Sequence, residues 1–96
     1  MKRLFKSVDE KLKEIGFNKT RENEYGVEYE RYISDYKYTQ ILSIECKANG
    51  RHLISSYDRD LHGKNFILGN VGVGLSYYET KLILKKMRQW KKKYNV

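Results

Sequence analysis

The sequence contains no proline, and Cys46 is the only cysteine among its 96 residues. A single cysteine cannot form an intrachain disulfide, and secreted domains of this size usually depend on such cross-links. Without proline, only glycine and polar residues are left to interrupt the chain. The composition therefore predicts one cytoplasmic domain, residues 1–96, that folds in a reducing compartment.

The sequence also lacks any stretch that approaches the roughly 18 apolar residues of a membrane-spanning helix. The first six residues resemble the start of a signal peptide, but Lys6, Asp9 and Glu10 interrupt any apolar run. We therefore expect neither a cleaved signal nor a membrane partner. Hydrophobic residues make up 40% of the chain, which is typical of globular domains.

Two segments have the 3.6-residue periodicity of amphipathic helices. The first covers residues 1–15 and is followed by Gly16, a residue type that commonly ends helices. The second begins at Ser76, which forms a capping-box pattern with Glu79, and runs to about residue 94. The apolar positions expected to face the core are Met1, Leu4, Phe5, Val8, Leu12 and Ile15 in the first helix, and Thr80, Ile83, Met87, Trp90 and Tyr94 in the second.

Between these helices, apolar and polar residues alternate as half-buried strands require. Strands are expected at 25–33, 36–46 and 51–57, with a shorter one at 17–21. A tight turn is expected at Ser34-Asp35, and Asn49-Gly50 is a typical hairpin signal. The sequence therefore predicts a two-layer α+β fold, in which an antiparallel sheet of three to five strands carries both helices on one face.

The net charge of +8 is unevenly distributed. Residues 76–96 contain seven lysines and arginines against a single acid, Glu79. Four of these cations recur at helical spacing, so we expect them to form one solvent-facing line: Lys81, Lys85, Arg88 and Lys92. Such a line predicts a nucleic-acid-binding surface that contacts phosphates. The alternative is a solvated helix face that favours solubility.

Candidate metal and catalytic residues are sparse. Asp58, Asp60 and His62 alternate along the chain, and two carboxylates with an imidazole can bind a divalent metal, so a metal-dependent nuclease is a third alternative. Cys46, His52 and His62 offer three zinc ligands, but without the paired spacing of zinc sites. No serine or cysteine has a histidine at a spacing suited to a nucleophile. We therefore expect no metal, no cofactor and no enzymatic activity.

Three further patterns bear on ligands and partners. The glycine-rich residues 69–74 could cradle a phosphate before the second helix, although they lack the Walker lysine. A protein partner, either a second copy or a host protein, could use the open face of the sheet or Leu82 with Tyr78. Five tyrosines could stack on bases or pack across strands: Tyr32, Tyr36, Tyr38, Tyr77 and Tyr78.

Residues 51–57 and 73–87 resemble segments of small uncharacterised proteins from phages and prophages of low-GC Gram-positive bacteria. The resemblance covers about residues 12–88. It implies a host cytosol as the setting and implies no particular activity.

The order of helix, antiparallel strands and helix is also similar to the double-stranded-RNA-binding domain. In that family a glycine-serine step opens the last helix and a lysine cluster contacts phosphates, as Gly74, Ser76 and Lys81 would here. Tyr77 and Tyr78 stand where that family has lysines. The resemblance implies a nucleic-acid ligand.

RNA-cleaving toxins of a related fold have a Gly-Phe step after the first helix, which Gly16-Phe17 resembles. Their strand carries a Gly-Ser-His catalytic motif. This chain has Gly26-Val27-Glu28 at that place, so the catalytic histidine is missing and the resemblance does not extend to the activity.

Overall fold

The computed structural model describes residues 6–47, 49–60 and 72–96. The chain forms, in order, α1 Val8–Glu14, β1 Asn18–Asn23, β2 Gly26–Ile33, β3 Tyr38–Cys46, β4 His52–Asp58 and α2 Tyr77–Tyr94. The four strands pair antiparallel in sequence order and form one sheet. The predicted α+β fold is therefore confirmed, and the predicted short leading strand is β1.

Each helix begins at a capping box. The amide of Glu10 donates to Ser7 Oγ, and the amide of Glu79 donates to Ser76 Oγ, both at 3.1 Å. The second box confirms the predicted start of α2. The expected helix over residues 1–15 does not include Lys6 and Ser7, because the Ser7 backbone is extended and α1 begins at Val8. Residues 1–5 lie outside the described residues.

Polar side chains and glycines shape the turns of this proline-free chain. Asn23 Oδ1 accepts hydrogen bonds from the amides of Tyr25 and Gly26, at 2.8 and 3.2 Å, and so closes the β1–β2 turn. Gly50 has a φ of 81°, which suits the predicted hairpin between β3 and β4. The β2–β3 turn covers residues 34–37, so Tyr36 lies in the turn and not in a strand as expected.

The core lies between the sheet and the two helices. Alternate residues of β2 and β3 form two cross-strand pairs, Val27 with Ile44 and Tyr29 with Leu42. These four side chains share one buried cluster with residues from both helices, so both helices lie on the same face of the sheet, as predicted. The helical members of the cluster are Val8, Leu12, Leu82, Ile83 and Trp90.

Contacts at both ends of α2 fix its direction across the sheet. Near its start, Glu79 forms an ion pair of 2.8 Å with Arg31, which lies towards the end of β2. Near its end, Trp90 Nε1 donates to the carbonyl oxygen of Asn23, at the end of β1, over 2.7 Å. The helix therefore runs antiparallel to β2 and parallel to β1. Within the described residues, neither helix is long and apolar enough to cross a membrane.

Candidate nucleic-acid interface

The four cations predicted to form a line on α2 all lie on its solvent side. Lys81, Lys85, Arg88 and Lys92, here called the basic ridge, are exposed. The side chains on the opposite side of the helix, such as Trp90, are buried in the core. The predicted orientation is therefore confirmed. Binding of nucleic acid by these residues stays a prediction.

Some cations of α2 form ion pairs with carboxylates, and others do not. Lys86 and Lys93 both contact the carboxylate of Glu22 on β1, at 2.7 and 3.1 Å. By contrast, no carboxylate within residues 6–47, 49–60 and 72–96 lies within ion-pair distance of the basic ridge. Lys91, which the spacing argument left out of the line, is also exposed. The helix thus neutralises its charges on one side and leaves them available on the other.

The neutralised side is an ion cluster that joins both helices to the sheet. The Lys86 ammonium also lies 3.3 Å from the carboxylate of Asp9 on α1. Lys19 on β1 bridges the two acids, at 3.0 Å from Asp9 and 3.1 Å from Glu22. The Tyr94 hydroxyl donates to Glu22 over 3.1 Å. These contacts hold α2 in one rotational position, with the basic ridge outward.

The electrostatics of this cluster keep both acids ionised. Burial raises the pKa of Glu22, but hydrogen bonds from Lys86, Lys19 and Lys93 outweigh it and hold the pKa well below its ordinary value. Burial likewise raises the pKa of Asp9, and hydrogen bonds from Tyr29 and Lys19 bring it below its ordinary value. Both acids therefore stay charged at neutral pH and offset the lysines around them.

The sequence reasoning missed Lys86 as a structural residue. Lys86 was counted only as one of the seven cations of residues 76–96, whereas its side chain is 9% exposed. A signal was available, because Lys86 follows Ile83 by three positions and precedes Trp90 by four. That spacing places a residue on the apolar side of a helix.

The first turn of α2 is held by Arg31 of β2. Its guanidinium lies 2.8 Å from the carboxylate of Glu79 and also donates to the Ile15 carbonyl oxygen at the end of α1, over 3.1 Å. It stacks on the Phe17 ring, with 4.1 Å between the guanidinium carbon and the ring centroid. Burial raises the pKa of Glu79, but the hydrogen bonds from Ser76 and Arg31 lower it below its ordinary value. The one acid of α2 is thus already engaged.

Apolar side chains lie within the same exposed surface as the basic ridge. Tyr77, at the first position of α2, is 79% exposed, and the Lys81 ammonium lies 5.4 Å from the centroid of its ring. Leu84 is 41% exposed. Together with Lys81, Lys85 and Arg88, Leu84 lines a depression of about 310 Å³. The surface therefore combines cations with one aromatic and one aliphatic side chain.

One predicted interaction patch is wrong. Leu82 was expected to join Tyr78 in a patch for a protein partner, but Leu82 is only 5% exposed and belongs to the core. Leu82 precedes Lys86 by four positions, so both residues lie on the side of α2 that packs on the rest of the protein. Tyr78 is exposed without it.

The other predicted sites are only partly within the described residues. Asp58 is buried and accepts a hydrogen bond of 2.8 Å from the Asp60 amide, while His62 lies outside the described residues. Cys46 and His52 are cross-strand partners, and the His52 ring packs edge-on against Trp90. In the part of the chain that the structure describes, no three His, Cys, Asp or Glu side chains are grouped to hold a metal ion.

Only part of the predicted phosphate-binding segment, residues 69–74, lies within the described residues. Residues 69–71 lie outside the described residues, and Gly72 forms an antiparallel bridge with Tyr57 of β4. The Glu79 amide, which a phosphate would need, is already bonded to Ser76 Oγ.

Comparisons with known proteins add no further candidate, since no family model, curated protein or solved structure matches the chain.

Proposed function

We propose that the protein binds nucleic acid through phosphate contacts made by the basic ridge of Lys81, Lys85, Arg88 and Lys92. The observation that supports it is the separation of charges on α2. Glu22 neutralises Lys86 and Lys93, whereas the described residues offer the ridge no carboxylate. Cations without such a partner can neutralise phosphates and release the counterions of a polyanion, which favours binding.

The dimensions of the ridge suit several phosphates at once. Lys81 and Lys92 are eleven positions apart, which corresponds to about 16 Å along a helix. Measured along the axis of duplex DNA, successive phosphates of one strand are about 3.4 Å apart. The ridge consists of three lysines and one arginine, and contacts from such side chains to phosphates carry no sequence information. The proposed mode of binding is therefore independent of sequence.

The proposed setting is the cytoplasm of a bacterial host. The resemblance to phage and prophage proteins suggests this compartment, and a fold with one free cysteine, Cys46, suits its reducing conditions. In this setting the protein would serve as an accessory nucleic-acid-binding protein of a phage or prophage.

The test is the affinity for a short labelled duplex DNA, measured by fluorescence anisotropy at several salt concentrations. For wild type, the slope of log affinity against log salt should lie at about −3 to −4, because each of the four phosphate contacts contributes about −0.9. Replacing all four ridge residues by glutamine should abolish binding and leave the circular dichroism spectrum unchanged.

A matched control removes the same number of charges elsewhere. Glutamine at Lys11, Lys13, Lys47 and Arg51, none of which is on α2, lowers the net charge equally and should leave most of the affinity. Equal losses in the two variants would mean that net charge alone drives binding. Undiminished binding in the ridge variant, or no binding by wild type at low salt, would reject the proposal.

A protein partner is the alternative, either a second copy or a host protein on the open face of the sheet. Tyr32 on β2 and Leu53 on β4 project from that face and are 62% and 40% exposed. Light scattering distinguishes this alternative. A dimer that Leu53→Ser dissociates, in a protein that does not bind nucleic acid, would favour it.

A further inference from the structure

Tyr77 is exposed at the start of the basic ridge. Its ring makes no contribution to the buried core, and it precedes Lys81 by one helical turn. The Lys81 ammonium lies over one face of the ring, 5.4 Å from its centroid, and the ring is still 79% exposed. An exposed ring beside a cation offers a flat surface for stacking and a charge for an adjacent phosphate.

Leu84 is a second exposed apolar side chain on the same side of α2 as Tyr77. It follows Tyr77 by seven positions, or about two helical turns, and lies in the depression with Lys81, Lys85 and Arg88. Two apolar side chains are therefore interspersed with the cations in the first half of a surface that extends about 22 Å from Tyr77 to Lys92, at 1.5 Å per residue. Contacts to the phosphates of a duplex would not involve these two apolar side chains.

Aromatic side chains interleaved with cations are typical of surfaces that bind single strands. In a duplex the faces of the bases are stacked on one another, so a protein ring can stack only on a base that is outside the helix. We infer that the basic ridge prefers single-stranded nucleic acid, with an unpaired base stacked on Tyr77 and the neighbouring phosphates on Lys81, Lys85 and Arg88. This inference rests on the proposed function, because it assigns a ligand class to the same ridge.

The experiment compares oligo(dT), oligo(U) and a duplex of the same length, again by fluorescence anisotropy. Wild type should bind the single strands more tightly than the duplex. Tyr77→Ala should weaken single-strand binding by about 5- to 100-fold, the usual range for one stacked base, and should leave duplex binding nearly unchanged. Tyr77→Phe keeps the ring and should bind almost like wild type.

Tyr25→Ala is the matched control, because this tyrosine is also exposed but lies in the β1–β2 turn. It should bind all three ligands like wild type. Binding of both single strands supports the inference, since stacking tolerates any base.

A wild-type preference for duplex, or a Tyr77→Ala variant that loses nothing on single strands or loses equally on both, would overturn the inference. In those cases the proposed function still stands, provided that the ridge variant loses binding. Absence of wild-type binding to all three ligands defeats both.

Discussion

The Lys86 ammonium on α2 lies 2.7 Å from Glu22 Oε1 on β1, and the two side chains are 9% and 7% exposed. This ion pair is on the side of α2 opposite the basic ridge. Together with the buried apolar side chains of α2, this pair fixes the direction in which the ridge points. Lys93 and Tyr94 contact the same carboxylate, so the last turns of the helix depend on one residue of an edge strand.

Glu22→Gln should destabilise the protein more than Lys86→Met. The glutamine leaves the Lys86 charge buried with only the 3.3 Å contact to Asp9, and because breaking a buried pair costs about 3 kcal/mol or more when no partner is left, we expect a loss of about 2 kcal/mol. The methionine keeps the aliphatic packing, and Glu22 retains the partly exposed Lys19 and Lys93, so we expect a loss of about 1 kcal/mol or less. Urea denaturation at neutral pH measures both. Equal losses, or a larger loss for Lys86→Met, would contradict this account.

Acid should weaken the wild type more than Glu22→Gln. The pKa of Glu22 is lower in the folded protein than its ordinary value of 4.5, so the unfolded chain takes up the proton first as pH falls. The stabilisation by Glu22 is complete above about pH 4.5 and is lost progressively below it. Asp9, whose pKa is also lowered, contributes to acid sensitivity in both proteins. The difference in unfolding free energy between them should therefore shrink between about pH 6 and about pH 3. A constant difference would contradict the prediction.

Trp90→Ala should lower the unfolding free energy by about 3–5 kcal/mol, because it leaves a large cavity in the core. The indole is 1% exposed and packs in the same cluster as Ile83 and Met87, as the sequence predicted. Trp90→Phe keeps a ring but leaves the Asn23 carbonyl oxygen without its donor, at a cost of about 1–3 kcal/mol. Since this is the only tryptophan, the native emission reports its surroundings directly. An emission maximum typical of a fully exposed indole would contradict its burial.

Gly26→Ala and Gly74→Ala form a matched pair of substitutions. A Cβ at Gly26 would lie 2.3 Å from the Ile44 carbonyl oxygen, so β2 and β3 would have to move apart. Such overpacking costs about 1–3 kcal/mol. A Cβ at Gly74 meets no atom within 4 Å, and this change should stay within about 0.5 kcal/mol of wild type. Thermal unfolding of the two variants tests the contrast, and similar melting temperatures would contradict it.

The parts of the fold that follow from local patterns could be predicted from the sequence. The alternation of apolar and polar residues indicated where the strands lie. The 3.6-residue period indicated the buried and exposed sides of α2, including the outward direction of the basic ridge. The capping box at Ser76 fixed the start of that helix. The same pattern is present at Ser7, but the apolar residues at positions 1, 4 and 5 predict a helix that continues towards the N-terminus.

Contacts between distant residues could not be predicted in this way. A lysine on the apolar side of a helix is buried only if acids meet it, and Asp9 and Glu22 are 77 and 64 positions from Lys86. No local sequence pattern predicts an ion-pair partner so far away in the chain. The β2–β3 turn was also beyond local rules, since Lys37 takes a φ of 53° without being glycine. The sequence located the cations of the ridge, but the separation of free from neutralised charge became visible only in the structure.

The order in which the core is completed has a consequence for synthesis on the ribosome. The meander pairs neighbouring strands, whereas Trp90 reaches Asn23 across 67 positions of the chain. A nascent chain that has emerged only as far as β4 can form its hairpins, but Val27, Leu42 and Ile44 still lack the cover of α2. Exposed apolar strands are the surfaces that chaperones bind and that aggregate when left free. Translation that stops before Trp90 should therefore yield an insoluble product, and productive folding has to wait until α2 has left the ribosome.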